Sequence, residues 1–291
     1  MTETKKGESY ILAETLLWSL FPVITVISLN QLRPMFSLAL SSFFAAIFFA
    51  CVITYKKLWH ELKERKALWD VLWGTLLLGI IYYLLQFAGL SLSTPGNAAL
   101  VSQMEILFSF LLFNVWKKER IDFLHLTGSG LMLMGAAVVL LPKGSGVALG
   151  DLLILISAAV APFGNLFQGR ARKQISSYTI MFLRNAISFP VILFIAFLLG
   201  QTHSEVNTFK SLWPVIINGI FLLGISKILW LEAIHRIPVV KANAFNCIGP
   251  AFTLIYAYLL LGQRPNAFQI FSLVPISIGI YLLTRPAKQT P

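Results

Sequence analysis

The chain has 291 residues, 57% of them hydrophobic and only 12% charged, with a mean hydropathy of +0.77. Soluble globular chains carry about 25% charged residues, so an ordinary water-soluble domain is excluded. The formal charge of +11 does not point to nucleic acid, because the basic residues sit in short loops between apolar runs.

A helix needs about 20 mostly apolar residues to cross a bilayer. Ten such runs follow one another, at 10–29, 34–55, 71–92, 95–116, 123–141, 149–168, 178–199, 212–234, 238–262 and 267–284. With joints of a few residues, they predict an all-α membrane protein of ten transmembrane helices. A spanning β-barrel would need alternating segments about half as long. The opening MTETKKGES is polar and no small-residue cleavage site follows it, so no removable signal peptide is expected. Cys51 and Cys247 lie inside apolar runs and read as packing residues, with neither a disulfide framework nor a metal site signalled.

Loop charge sets the expected orientation. With the N-terminus inside, 16 of the 23 Lys and Arg fall in inside loops. Four (Arg33, Lys143, Lys210, Arg264) fall in outside loops, and three (Arg184, Lys227, Lys241) fall within spans. The positive-inside bias puts both termini in the cytoplasm. The basic stretch 56–66 reads as a solvated loop.

The chain repeats at a shift of 144 or 145 residues. Gly79-Ile80 matches Gly224-Ile225, Glu119-Arg120 matches Gln263-Arg264, Gly135 matches Gly279 and Pro142 matches Pro286. Phe21-Pro22 lines up with Ala161-Pro162. Halves at 1–145 and 146–291 would hold five spans each, and an odd number inverts the second half relative to the first. Inverted repeats are the usual build of secondary transporters, with the site near the midplane.

The order of several motifs resembles the drug/metabolite transporter superfamily, specifically its EamA-type members. Trp18-Ser19 resembles the family's Trp-Gly or Trp-Ser of the first span. Asn97-Ala-Ala-Leu through Gln103-Met-Glu105 resembles its fourth-span signature. Lys118-Glu119-Arg120, the glycines Gly128, Gly130 and Gly135, and Gly150-Asp151 follow in the family's order. Ile106 stands where the family often has Pro, and Ser42 where Arg is common in the second span, while Arg184 keeps that Arg in the seventh. The resemblance implies export or exchange of amino acids, related amphipathic compounds or drugs.

Ionisable residues inside a membrane are costly, about 2.5–3.5 kcal/mol each on the mildest scale, and so mark functional positions. Three acids (Glu14, Glu105, Glu232) and three bases (Arg184, Lys227, Lys241) fall inside the runs. The stretch from Lys227 to Pro250 is the densest. Glu14, Glu232 and Lys241 lie within about two turns of a span end, where side chains can snorkel; Glu105, Lys227 and Arg184 lie deeper. Ala98, Ser102, Glu105 and Ser109 share one small, polar helix face. Lys227 with Trp230, and Lys241 with Phe245, each place a cation beside an aromatic ring on one helix. Lys227 and Lys241 are expected to face one cavity with Trp230 and Tyr82, Tyr82 being the position that aligns with Lys227 across the repeat. The expected substrate site is Glu105, Lys227, Trp230, Lys241, Arg184, Tyr82, Phe245 and Ser102. Glu105 is expected to carry a coupling proton or to anchor a substrate amine. Pro22 and Pro162 are candidate paired hinges.

No HExxH, GxSxG, CxxC or phosphate-cradling loop is present, so no enzyme, metal or cofactor is expected and transport would run on a gradient. The expectation is a plasma-membrane transporter of a bacterial type, with a small-molecule substrate, protons as the coupling ion and no nucleic-acid partner. An antiporter of anionic (phosphorylated or carboxylate) metabolites and a non-transporting membrane protein, either an assembly partner or an intramembrane enzyme, are the alternatives.

Overall fold

A computed structural model of the chain describes residues 2–117, 123–140, 148–202 and 208–285. Its regular structure is helical, with no strand among the described residues. In chain order we label α1 (Glu3–Leu29), α2 (Pro34–Tyr55), α3 (Arg65–Leu90), α4 (95–117), α5 (Phe123–Leu140), α6 (Leu149–Ala171), α7 (Ser177–Leu198), α8 (Leu212–Arg236), α9 (239–261) and α10 (Ala267–Leu283). All but α4 and α10 are long and apolar enough to cross a membrane, α9 from Lys241 onward. α10 is apolar but 17 residues long. α4 is split into Pro95–Ser102 and Met104–Lys117. The all-helical class therefore holds, while the expected ten spans are eight long helices, one shorter one and one broken one among the described residues. Lys118-Glu119-Arg120, Pro142, Lys143, His203, Pro286 and Lys288 lie outside the described residues.

Helix ends follow local chemistry. Pro34 and Pro95 sit in the first turns of α2 and α4, where a missing N–H costs nothing. Thr94 caps α4 by accepting from Asn97 N at 3.2 Å. Asn266 and Gln269 form a reciprocal capping box on α10. Gly262, at φ +66°, ends α9 in the left-handed region. Two helices start earlier than expected: α1 at Glu3 rather than 10, and α3 at Arg65 rather than 71. Their first turns are polar and face the ends of the bundle, so apolar runs alone underestimate them.

The interruptions obey the repeat. α4 breaks at Gln103 and α9 at Cys247–Ile248, positions one repeat apart. α3 winds into a π-helix at Thr75–Ile81 and α8 at Asn218–Ile225, again one repeat apart. The proline pair is not symmetric. α1 breaks at Ser19–Leu20, just before Phe21-Pro22, whereas α6 runs unbroken through Pro162. A hinge shared by the two prolines is thus not built into both halves alike.

Packing is also paired: α2 lies on α7, α5 on α10, α1 on α8 and α3 on α6. The α5–α10 crossing is close enough to need glycine, since a Cβ on Gly279 would stand 2.7 Å from the Gly128 carbonyl oxygen. Phe197, Leu259 and Phe271 stay exposed on the periphery, as lipid-facing side chains do.

The two ends of the bundle differ. At one end the start of α1 meets the end of α8 and the start of α9, through Glu3–Arg236 (3.1 Å) and Glu8–Lys241 (2.5 Å). The start of α7 is held there too, its Ser176 N donating to Glu61 at 3.0 Å. At the opposite end the start of α6 meets the α3–α4 joint: Asp151 accepts from Ser93 Oγ and from Asn97 Nδ2 at 3.0 Å. α1 and α6 therefore begin at opposite ends, which is the inversion that an odd-span repeat requires.

Candidate functional site

Two neighbouring cavities occupy the middle of the bundle. The central one has a volume of about 120 Å³ and is walled by α1, α3, α4 and α6 to α9. The second, about 280 Å³, shares Glu105, Asn165, Trp230 and Asn243 with it and reaches Arg170, Lys173 and His235. Those three side chains are exposed, so the path from the centre leads toward the end that carries the start of α1.

The helix irregularities deliver the polar side chains. The break at Gln103 puts Glu105 in the first turn of Met104–Lys117. A carboxylate there is favoured by the helix dipole and by unpaired N–H groups. Its Oε1 accepts from Asn165 Nδ2 of α6 at 2.7 Å. Ser226 and Lys227 follow directly on the π-helix of α8, as Tyr82 follows that of α3. π-turns are frequent at functional positions because they rotate side chains out of the regular stripe.

Charges meet in two groups. Lys227 Nζ lies 3.2 Å from Glu14 Oε1 and 3.1 Å from the centre of the Trp18 ring. Ser226 Oγ donates to the same Glu14 oxygen at 3.3 Å. Trp18 is itself stacked on Phe21, ring centres 4.3 Å apart. Arg184 Nη2 donates to the Leu223 carbonyl at 2.8 Å, and the guanidinium lies 5.7 Å from the Tyr83 ring. Glu14 and Arg184 are 1% and 2% exposed. For a buried ion pair such as Glu14–Lys227, stranding one charge by removing the other typically costs about 3–5 kcal/mol. Gln86, between Ser102 (3.2 Å) and Ser157 (2.8 Å), ties α3 to both α4 and α6.

Six of the eight expected site residues line the central cavity: Glu105, Lys227, Trp230, Arg184, Tyr82 and Ser102. Lys241 does not; its ammonium is on Glu8 at the end of the bundle, and the side chain is 42% exposed. Phe245 packs beside a buried cluster around Trp230 and Leu231 instead of lining the cavity. The cation–aromatic contact of Lys227 is also not the expected one. It is made across helices with Trp18 rather than along α8 with Trp230. Glu232 lies at the same end as Lys241, held by Arg172 (2.8 Å), Arg236 (2.5 Å) and Ser177 (2.6 Å).

Sequence reasoning missed Glu14 as a deep residue. Counting α1 from residue 10 placed Glu14 near a span end; with the helix starting at Glu3 it is three turns in. The signal that was available is the spacing of Glu14 and Trp18, four apart on one face.

The EamA-like transporter family model matches the chain twice, at residues 5–141 and 148–285. An uncharacterized transporter of Bacillus subtilis, YoaV, is 22% identical over 94% of this chain and 95% of its own length. A probable terminal-alkyne amino-acid exporter of Streptantibioticus cattleyicolor is 23% identical over 65% of this chain and 64% of its own. A solved crystal structure superimposes with a TM-score of 0.68 over 96% of this chain and 95% of that one. At 19% identity that likeness is one of fold. Two matched halves that begin at opposite ends of one helical bundle, around a charged central cavity, agree with these relationships: the chain is an integral membrane protein that belongs to the EamA-like transporter family.

Proposed function

We propose that this protein is a gradient-driven exporter or exchanger of small zwitterionic metabolites such as amino acids, working in the plasma membrane with both termini cytoplasmic. The observation that carries the reading is the presence of both signs of charge around one small cavity: Glu14 and Glu105 against Lys227 and Arg184, with Trp18, Tyr82 and Trp230 beside them. A molecule with an acid and an amine a few bonds apart matches such a wall, its acid on Lys227 and its amine on a carboxylate, and the rings cover its apolar part. The Streptantibioticus relative, named as a probable terminal-alkyne amino-acid exporter, supports the same class. The loop-charge bias, 16 inside against four outside, supports the orientation. In that orientation the wider cavity opens to the cytoplasm, where an exporter loads. The halves 1–145 and 146–291 would rock about the central site to expose it alternately, and Glu105, which faces both cavities, would carry the coupling proton.

The test is substrate counterflow in liposomes with a panel of amino acids and organic anions. Parent protein should exchange zwitterions. Lys227→Ala, at parental expression, should lose about tenfold or more, as expected when one side of a desolvated charge pair is removed. Unchanged exchange in Lys227→Ala would remove the site. Exchange of organic anions in preference to zwitterions would favour an anion antiporter.

A further inference from the structure

The cation that the proposed function gives to the substrate's acid is already occupied. Glu14 Oε1 lies on Lys227 Nζ at 3.2 Å, with Ser226 Oγ supporting it at 3.3 Å. Its other oxygen, Oε2, is buried and has no hydrogen-bond partner among the described residues, and Glu14 lines the central cavity. Glu105 is differently placed, its Oε1 held by the neutral amide of Asn165. Arg184 is held through Nη2 by the Leu223 carbonyl and lies against the Tyr83 ring, while its buried Nε has no hydrogen-bond partner among the described residues.

We propose that Glu14 is an internal surrogate for the substrate's acidic group: it neutralises Lys227 while the carrier is empty, and yields it when a substrate carboxylate docks. The proposal rests on Lys227 being the acid-binding group. An ammonium taken into a closed, dry cavity without a counter-charge is strongly disfavoured. Without Glu14, an empty carrier would resist the closed state through which it must pass to return, and could move only when loaded. With Glu14 on Lys227 that ammonium is neutralised in the empty site, so net transport runs as well as exchange.

The same contact sets specificity. A docking carboxylate displaces Glu14, which then needs a cation of its own. Arg184 stays on the Leu223 carbonyl through Nη2, and the cation that arrives together with the displacing acid is an ammonium group on the substrate itself. A zwitterion thus completes two pairs, acid on Lys227 and amine on Glu14. An acid with its amine blocked leaves Glu14 buried and unpaired, and is rejected by that cost. Trp18, four residues from Glu14 and under Lys227, keeps the ammonium in place through the exchange of partners.

The experiment uses the full chain in liposomes with labelled phenylalanine and N-acetylphenylalanine as probes. For each variant, net efflux into probe-free buffer is divided by the rate of counterflow exchange. In Glu14→Gln that ratio should fall about tenfold or more, and the preference for phenylalanine over its N-acetyl derivative should shrink by a similar factor. A parental ratio and a parental preference in Glu14→Gln would overturn the proposal. Should that variant not reach the membrane, the paired change Glu14→Gln with Lys227→Gln leaves no lone charge and is read for preference alone. Retained preference there would overturn the proposal equally. A parent that moves neither probe, or a Lys227→Ala that exchanges like the parent, would instead strike at the acid-binding role of Lys227, and this proposal would fall with it.

Discussion

Glu105 faces both cavities, while Glu14 faces only the central one. That difference separates two carboxylates that look alike in the sequence. Glu14 has a cation beside it, Lys227; Glu105 has a neutral amide, Asn165, and stands on the route to the exposed Arg170 and Lys173. A group that takes protons from one side and yields them to the other needs that kind of position. Glu105→Gln keeps an acceptor for Asn165 and removes only the ability to ionise. We expect it to reach the membrane at parental levels and to lose the response of transport to an imposed pH gradient, measured with labelled amino acid in liposomes. A well-folded Glu105→Gln that follows the gradient like the parent would end the coupling role. Glu105, Lys227 and Arg184 could be found in the sequence because charge inside an apolar run is conspicuous. The pairing of Lys227 with Glu14 could not, because the two lie 213 residues apart and helix ends set by polar turns are invisible to hydropathy. Lys241 failed for the same reason: Glu8, which holds it, sits in a polar stretch that hydropathy leaves outside the first span.

Among the elements, the regular helices were legible and their interruptions were not. Proline or glycine marks the breaks before Phe21-Pro22 and Gly249-Pro250, but nothing of that kind marks Gln103, and no periodicity signals the π-helices. These are the features that aim Glu105, Tyr82 and Lys227, so the fold was easier to read than the geometry of its site. The start of α7 shows how a loop secures an element. Ser176 caps the helix through Thr179 N, and Glu61 from the α2–α3 joint accepts from Ser176 N (3.0 Å), Ser176 Oγ (2.7 Å) and Thr179 Oγ1 (2.5 Å). Partial burial pushes the Glu61 carboxyl up, but these hydrogen bonds outweigh it and hold the group below its ordinary value. A carboxyl whose folded pKa is depressed stabilises fully above its unfolded pKa, near 4.3, and loses that contribution as pH falls through the folded value. Glu61→Gln should therefore lower stability by about 1 kcal/mol at neutral pH, the usual worth of a helix cap. The gap to the parent should narrow below about pH 4. Thermal unfolding in detergent across pH would measure it, and a gap that stays constant down to pH 3 would contradict the assignment.

At the scale of the molecule, polar contacts join the halves at both ends, but the wider cavity reaches the end that carries the start of α1, while the opposite end is closed. The closed end joins both halves. Asp151, 1% exposed, accepts from Ser93 and Asn97; Asn97 in turn accepts from Gln269 Nε2 at 2.8 Å, and the same amide reaches Thr94 at 3.3 Å. α6 and α10 of the second half are thereby fastened to the α3–α4 joint of the first. A Cβ on Gly150 would stand 2.7 Å from the Gly89 carbonyl oxygen, so the backbones meet there as well. A carrier that alternates must release this seam to open outward, and hydrogen bonds between short side chains can be exchanged for water at small net cost. Asp151 is the common acceptor, so Asp151→Ala should bias the protein toward opening at that end. Asn243, which lines both cavities, reports the change. In a background with Cys51→Ser and Cys247→Ser, Asn243→Cys should react with a membrane-impermeant maleimide in inside-out vesicles and be protected in right-side-out ones. Adding Asp151→Ala should raise labelling in right-side-out vesicles by about tenfold, the effect of shifting a two-state equilibrium by 1.4 kcal/mol. Protection from the outside that survives Asp151→Ala would show that the seam is structural. Labelling in the parent from the right-side-out face alone would reverse the orientation that the loop charges imply, and with it the side from which this carrier loads.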